Sequence, residues 1–394
     1  MTAYTSPHVA PATWREVVGR VFAVGVRRRV DWVLVAAVLV LSAVGSLLVW
    51  TSTHTPEDPA VAAGYVQRHL VHLGMAVLCG ALVASVDYRA PRAYAPVVYL
   101  LSLAGLALVF TPLGEVVNGS RGWISVAGLQ AQPAEFVKVA LILATAMLLG
   151  EPRDGEHAPT TRDVVFALAA LASPMVMVLV QPDLGSSLVL GAIFLGMLSM
   201  SGAPVRWIAG LLGCGLVAVL CVWWFDLLQD YQLARVTTLF DPTADPQGRG
   251  YNANQAIIAV GSGGFEGTGL FQGEQTSGRF VPEQHTDFIF TVAAEELGFI
   301  GGVLIIALLT LVIWRVLRVA AGCEQPYARL VCVGVATWLT FQGFVNIGMT
   351  LGVAPITGLP LPFLSYGGTA TIATMVAIGL VLAIHARDRG FEHA

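Results

Sequence analysis

The chain has 394 residues, of which 56% are hydrophobic and only 12% charged, with a formal net charge of −4. Ordinary soluble domains carry about 25% charged residues, so the composition excludes a soluble globular enzyme, and the absence of a basic surplus argues against a nucleic-acid binder. It reads as an all-α integral membrane protein. Residues 1–30 hold Arg15, Arg20 and the run Arg27, Arg28, Arg29 without a continuous apolar core or a small-residue cleavage site, so they read as a cytoplasmic tail and not a signal peptide. Apolar stretches of about 20 residues, the length that crosses a bilayer, begin near Val33, Arg68, Tyr94, Pro133, Val164, Leu184, Val205, Thr286, Tyr327 and Gly367. About ten transmembrane helices are therefore predicted, in one membrane domain over 31–386 that ends in a short tail, 387–394.

Assigning alternate connections to alternate sides places Arg89, Arg92, Arg153, Arg162, Arg206, Arg315, Arg318, Arg329, Arg387 and Arg389 on the side of the N-terminal tail. The opposite side keeps only Arg68, Arg121, Arg235, Arg249 and Arg279. The positive-inside rule then puts both termini in the cytoplasm. Cys79, Cys214, Cys221, Cys323 and Cys332 have no metal-ligand spacing and suggest no disulfide framework.

Three outer segments stand out. Residues 112–132 carry VNGSRGWISVAGLQAQ. A large extracytoplasmic loop of about 226–285, between spans 7 and 8, exceeds the usual connection and so reads as functional; it contains YNANQAIIAVGSGGFEGTGLFQG, an apolar helical start followed by clustered glycines. Between the last two spans, GVAPITGLPLPFLSYGGTA breaks the backbone with prolines and a glycine pair, which at membrane depth requires a buried or wet setting.

The charges within or beside the spans narrow the chemistry. In QPAEFVKVALIL, Pro133 suits a first helical turn, and Glu135 and Lys138 share a face at i, i+3, where they can pair. RFVPEQHTDFIFTVAAEELGFIGG puts Asp287 at the outer start of a span. On a straight helix, Glu295 and Glu296 would lie about 12 to 14 Å deeper, near the midplane and on different faces. There a structural hydrogen-bonding role competes with a proton or cation site. With Arg121, the Gln181-Pro182-Asp183 turn and Ser365, the groups Glu135, Lys138 and Asp287 map to one outer layer, the level of a lipid head group. A carboxylate there suits a general base toward a sugar hydroxyl, and Lys138 and Arg121 suit a pyrophosphate.

The runs FVPEQHTDFIFTVAAEELGFIGG, QPAEFVKVALIL, QPDLGSS, IIAVGSGGFEGTGLFQG and NIGMTLGVAPITGLPLPFLSYGG resemble the SEDS family of shape, elongation, division and sporulation proteins, over nearly the whole chain from about Asp31. The resemblance implies a ten-helix peptidoglycan glycosyltransferase of the bacterial cytoplasmic membrane that polymerises lipid II at the outer face beside a class B penicillin-binding protein. Other elongation-machinery proteins are further expected partners, and no nucleic acid is. It implies Asp287 as the catalytic residue, with Glu135, Lys138, Arg121 and Ser365 toward substrate. No protein-built metal site is implied; a divalent cation, Mg²⁺ or Mn²⁺, is the one cofactor left open. NIGMTLG followed by PITGLPLPF is similar to the elongation-type RodA branch more than to the FtsW branch. One departure concerns Arg121: many relatives have two basic residues before the tryptophan, whereas here Gly122 precedes Trp123.

Two other readings compete. A lipid II flippase would use the deep pair Glu295 and Glu296, as transporters place ion sites at the midplane. A noncatalytic scaffold for a crosslinking enzyme would use the small-residue helix faces.

Overall fold

The structure, a computed structural model, describes residues 30–54, 59–117, 120–126, 129–150, 158–224 and 249–388. Most of both predicted tails, and residues 225–248 of the long loop, lie outside the described residues.

Ten helices stand where the ten apolar stretches were predicted: α1 (Trp32–Thr53), α2 (Pro59–Ser85), α3 (Arg89–Leu108), α4 (Pro133–Leu149), α5 (Thr161–Val180), α6 (Leu184–Met200), α7 (Val205–Trp224), then α10 (Ile289–Ala321), α11 (Pro326–Thr350) and α12 (Gly368–Asp388). Seven of them are long and apolar enough to cross a membrane. Their starts follow capping chemistry. The Asp31 carboxylate accepts the Leu34 N–H at the head of α1, Thr160 and Asp163 form a reciprocal capping box at α5, and Asp183 accepts the Ser186 N–H at α6. Pro133 opens α4 at its first turn, as its fixed φ favours.

Helix α4 lies at the centre, packed against α3, α5, α6, α11 and α12, and it is buried on nearly every side from Pro133 to Leu149. A helix covered all round needs no polar stripe; the two charges it carries must therefore be satisfied inside the protein. Helix α11 is the other heavily buried element, packed between α10, α4 and α6.

The outer segments hold more structure than their sequence suggested. Residues 112–132 fold into a three-stranded antiparallel sheet, β1 (Gly114–Val117), β2 (Ser120–Val126) and β3 (Leu129–Ala131), in the order β1-β2-β3. The described end of the long loop carries α8 (Arg249–Ser262), where the apolar helical start was read, and one turn of helix, α9 (Glu274–Ser277).

Helix α10 is not continuous. At Gly298 the backbone leaves the helix with φ 65° and ψ −166°, a conformation that side chains rarely tolerate. A Cβ there would strike the backbone of Gly267, and one at Gly267 would strike the Glu296 carbonyl. The two glycines let the loop press against the break. Thr268 and Gly269 N–H groups donate to the Glu295 and Glu296 carbonyls, at 2.9 and 3.1 Å, and Phe299 N–H donates to the Gly264 carbonyl at 3.0 Å. The stretch from Phe299 to Ala321 is by itself about 34 Å long at 1.5 Å per residue, enough to span.

Candidate functional site

Asp287 lies just before α10, and its segment is tied to everything around it. Its N–H donates to the Glu283 carbonyl at 3.0 Å, and Tyr366 N–H donates to the His285 carbonyl at 2.9 Å. Asn346 of α11 donates through Nδ2 to the carbonyls of both Asp287 and Leu359, each at 2.7 Å. One amide thereby holds the HTDF segment against the PITGLPLPF loop. The carboxyl Oδ2 faces Gly358, where an added Cβ would come within 3.3 Å.

Burial pushes the Asp287 carboxyl up, and the negative charges of Glu283 and Asp183 add to this against a hydrogen bond from Thr286, to a pKa of about 7. A carboxylate whose pKa lies near neutral pH is a far stronger base than an ordinary aspartate, yet a large fraction remains ionised. Asp183, the cap of α6, also takes the Ser186 hydroxyl at 2.6 Å.

The pair expected on α4 is present. Lys138 Nζ meets Glu135 Oε1 at 2.7 Å, with the residues 0% and 1% exposed. Lys138 also donates to Gln342 Oε1 at 3.0 Å and lies 5.2 Å from the centre of the Trp338 ring. Gln342 in turn accepts from Trp338 Nε1 and donates to the Pro360 carbonyl, both at 2.7 Å. The ammonium thus has two acceptors and an aromatic face around it and is closed to solvent, and Glu135 keeps one oxygen, Oε2, without a partner. Lys138 acts on the PITGLPLPF loop through Gln342; it does not line an open anion site.

The other expected site residues lie differently. Arg121 is exposed on β2 and donates to the Thr111 carbonyl at 2.9 Å, so it belongs to the rim. Ser365 is buried, and its Oγ accepts the Leu361 N–H at 2.8 Å, which closes the turn before the SYGG motif and commits the hydroxyl to the fold. Glu295 and Glu296 sit in the short helical stretch before the break at Gly298, and both turn to the loop packed against that break. Glu295 accepts the N–H groups of Gln275 and Thr276 at 2.8 and 2.9 Å and the Thr276 hydroxyl at 2.6 Å, capping α9. Glu296 accepts the Phe271 N–H at 3.1 Å. Both hold the outer loop, so the structural role is the one the geometry favours.

Residues not foreseen are Gln342 and Asn346, and with Trp338 they form a stripe at i, i+4, i+8 on α11. Polar groups at four-residue spacing within a span were the available signal.

A family model described as a cell cycle protein, covering FtsW, RodA and SpoVE, matches residues 30–390. The chain belongs to the SEDS family. This SEDS protein is 35% identical over 358 residues to the peptidoglycan glycosyltransferase MrdB of Escherichia coli, which covers 90% of the chain and 93% of that relative. It is 34% identical to the stage V sporulation protein E of Bacillus subtilis, covering 91% and 98%. Among solved structures it is similar to the rod shape determining protein RodA of Thermus thermophilus, with a TM-score of 0.68 at 31% identity over 91% of this chain and 97% of that one. A chain from a peptidoglycan synthase complex that coordinates polymerisation and crosslinking matches with a TM-score of 0.76 at 34% identity, over 91% and 98%. The SEDS protein is a multi-span membrane protein and a peptidoglycan glycosyltransferase.

Proposed function

We propose that the protein polymerises lipid II into β-1,4 glycan strands at the outer face of the bacterial cytoplasmic membrane, with Asp287 as the general base. The observation that carries this reading is the Asp287 carboxyl, raised to about 7 and facing Gly358 on a segment whose backbone Asn346 ties to the PITGLPLPF loop. In the reaction the acceptor sugar's 4-hydroxyl gives its proton to Asp287. Its oxygen forms a bond to the donor's anomeric carbon, and the bond from that carbon to the lipid pyrophosphate breaks with inversion.

The leaving group is already anionic, so it needs charge stabilisation more than a proton. Arg121 at the rim is the exposed cation among the expected residues. Lys138 positions the Pro360 stretch from within. Among the described residues no three His, Cys, Asp or Glu side chains converge as a metal site; the donor set suits only a Mg²⁺ or Mn²⁺ that takes most of its ligands from water and substrate phosphate, with Asp183 the nearby carboxylate, and such a cation would neutralise the pyrophosphate.

The relative in a synthase complex supports a class B penicillin-binding protein as the partner that crosslinks the product. The NIGMTLG and PITGLPLPF sequences support the elongation-type branch, and the distribution of arginines supports cytoplasmic termini. The capping of α9 by Glu295 and the hydrogen bond from the Phe271 N–H to Glu296 support a structural role for this pair over the ion site of the transporter reading.

Polymerisation of fluorescent lipid II by the purified protein, with and without a class B partner, tests the proposal. Strands from the native chain that vanish in Asp287→Asn are expected. Equal strands from both would remove Asp287 as the base.

A further inference from the structure

Beside the Asp287 segment lies a cluster of rings that the steps above leave unused. Tyr65, His69 and His72 come from α2, His285 from the segment two residues before Asp287, and Tyr366 from the SYGG turn. The Tyr366 ring is the hub. His69 stacks on it at 5.9 Å between centroids with an interplanar angle of 28°, His285 lies tilted at 5.5 Å, Tyr65 meets it edge-on at 5.7 Å, and His72 stands at 6.3 Å. Tyr65 and His285 also meet edge to face at 5.1 Å. The backbone makes room for this: a Cβ at Gly368 would lie 2.9 Å from His72 Nδ1.

Two nitrogens in the cluster have no partner. His69 is 3% exposed, and neither its Nε2 nor the buried Nδ1 of His72 makes a hydrogen bond. A buried polar atom left unpaired costs about 1 to 3 kcal/mol, and a packing role alone would be filled at less cost by leucine or phenylalanine. Aromatic walls with a few unspent hydrogen-bonding atoms are the make-up of a small-ligand pocket. The ligand must offer an apolar face to the rings and hydroxyl or amide groups at its edge. A pyranose ring does both. A phosphate fits less well, since both nearby cations are exposed, Arg68 beside His72 and Arg279 beside His285, Arg279 is already engaged with the Thr53 carbonyl, and burial lowers the His285 pKa, which keeps that ring neutral.

We infer that Tyr366, Tyr65, His69, His72 and His285 form a saccharide subsite that holds the acceptor sugar of the lipid-linked substrate next to Asp287. His285 and Asp287 are two residues apart, so their Cα atoms are no more than about 7 Å from each other, within reach of a single sugar ring. The inference rests on the proposed polymerisation, and it adds residues that recognise the sugar.

The test is equilibrium binding of short-chain fluorescent lipid II, read by anisotropy, to the full chain in detergent. His69→Leu and Tyr366→Leu are expected to bind about tenfold more weakly, the scale of one lost aromatic contact, while Tyr366→Phe binds as the native chain does. His69→Leu is also expected to keep or raise the melting temperature, because it removes a partnerless buried imidazole; a purely structural histidine would lower it. Unchanged binding by both leucine variants would overturn the inference and leave the cluster a water site. If a leucine variant is not monodisperse, carbethoxylation of the native chain decides: lipid II slows modification of His72 and His285 if the subsite holds sugar, and an unchanged rate overturns it. Polymerisation by the same native and Asp287→Asn samples reports separately on the catalytic reading, so the two can fail independently.

Discussion

Asp287 shows how far a single residue could be read before its surroundings were known. Depth alone made Glu295 and Glu296 stand out more than an aspartate at the start of a span; the resemblance, and not the physics of insertion, pointed to Asp287. What the sequence did not contain was the environment that lifts its pKa: burial first, then Glu283 four residues earlier and Asp183 from a distant turn. This has a direct consequence for pH. The base works only when ionised, so kcat/KM for lipid II polymerisation is expected to fall about tenfold per pH unit below about 7 and to level off above it. An aspartate near its ordinary 3.8 would give a flat profile from about pH 5 upward. Because the Glu283 charge raises the pKa, Glu283→Gln should move the inflection to lower pH. An inflection that stays in place would assign it to another group.

At the scale of elements, the positions of the helices were legible because apolar length and terminal capping are local signals. The break in α10 and the small sheet were not. The first depends on Gly267 meeting Gly298, 31 residues apart in sequence; the second is local, three short strands joined by two-residue connections, and went unread because its stretch carries no clear alternation. The Glu135 and Lys138 pair was visible in its i, i+3 spacing, but the tie from α4 to α11 was hidden until Gln342 appeared beside it. That tie makes a prediction about stability. Lys138→Met would leave the Glu135 carboxylate buried without its cation, and breaking such a pair costs on the order of 3 to 5 kcal/mol. A clear drop in the melting temperature of the detergent-solubilised protein is expected. Glu135→Gln combined with Lys138→Met should recover most of it, since neither charge is then stranded. A native melting temperature for Lys138→Met alone would mean that the ammonium is available to substrate after all.

At the scale of the whole molecule, the groups that do chemistry and the groups that pin the bundle occupy opposite ends of the same helices. Asp287 precedes α10, while Arg315 near its other end holds Asp31 at the head of α1 through Nη2 and Nε, at 2.6 and 2.8 Å. Arg387 at the end of α12 donates to the carbonyls of Ser85 and Val86 at the end of α2. This end is the arginine-rich one, and the positive-inside rule assigns it to the cytoplasm; polymerisation at the outer face requires that assignment to be right. In a background with all five cysteines replaced by serine, a single cysteine at the exposed Glu274, in α9, should react with a membrane-impermeant maleimide in intact cells. One at the exposed Gln325, between α10 and α11, should react only after permeabilisation. The reverse pattern would place Asp287 on the cytoplasmic side, and an outer-face polymerase could not be built on this chain.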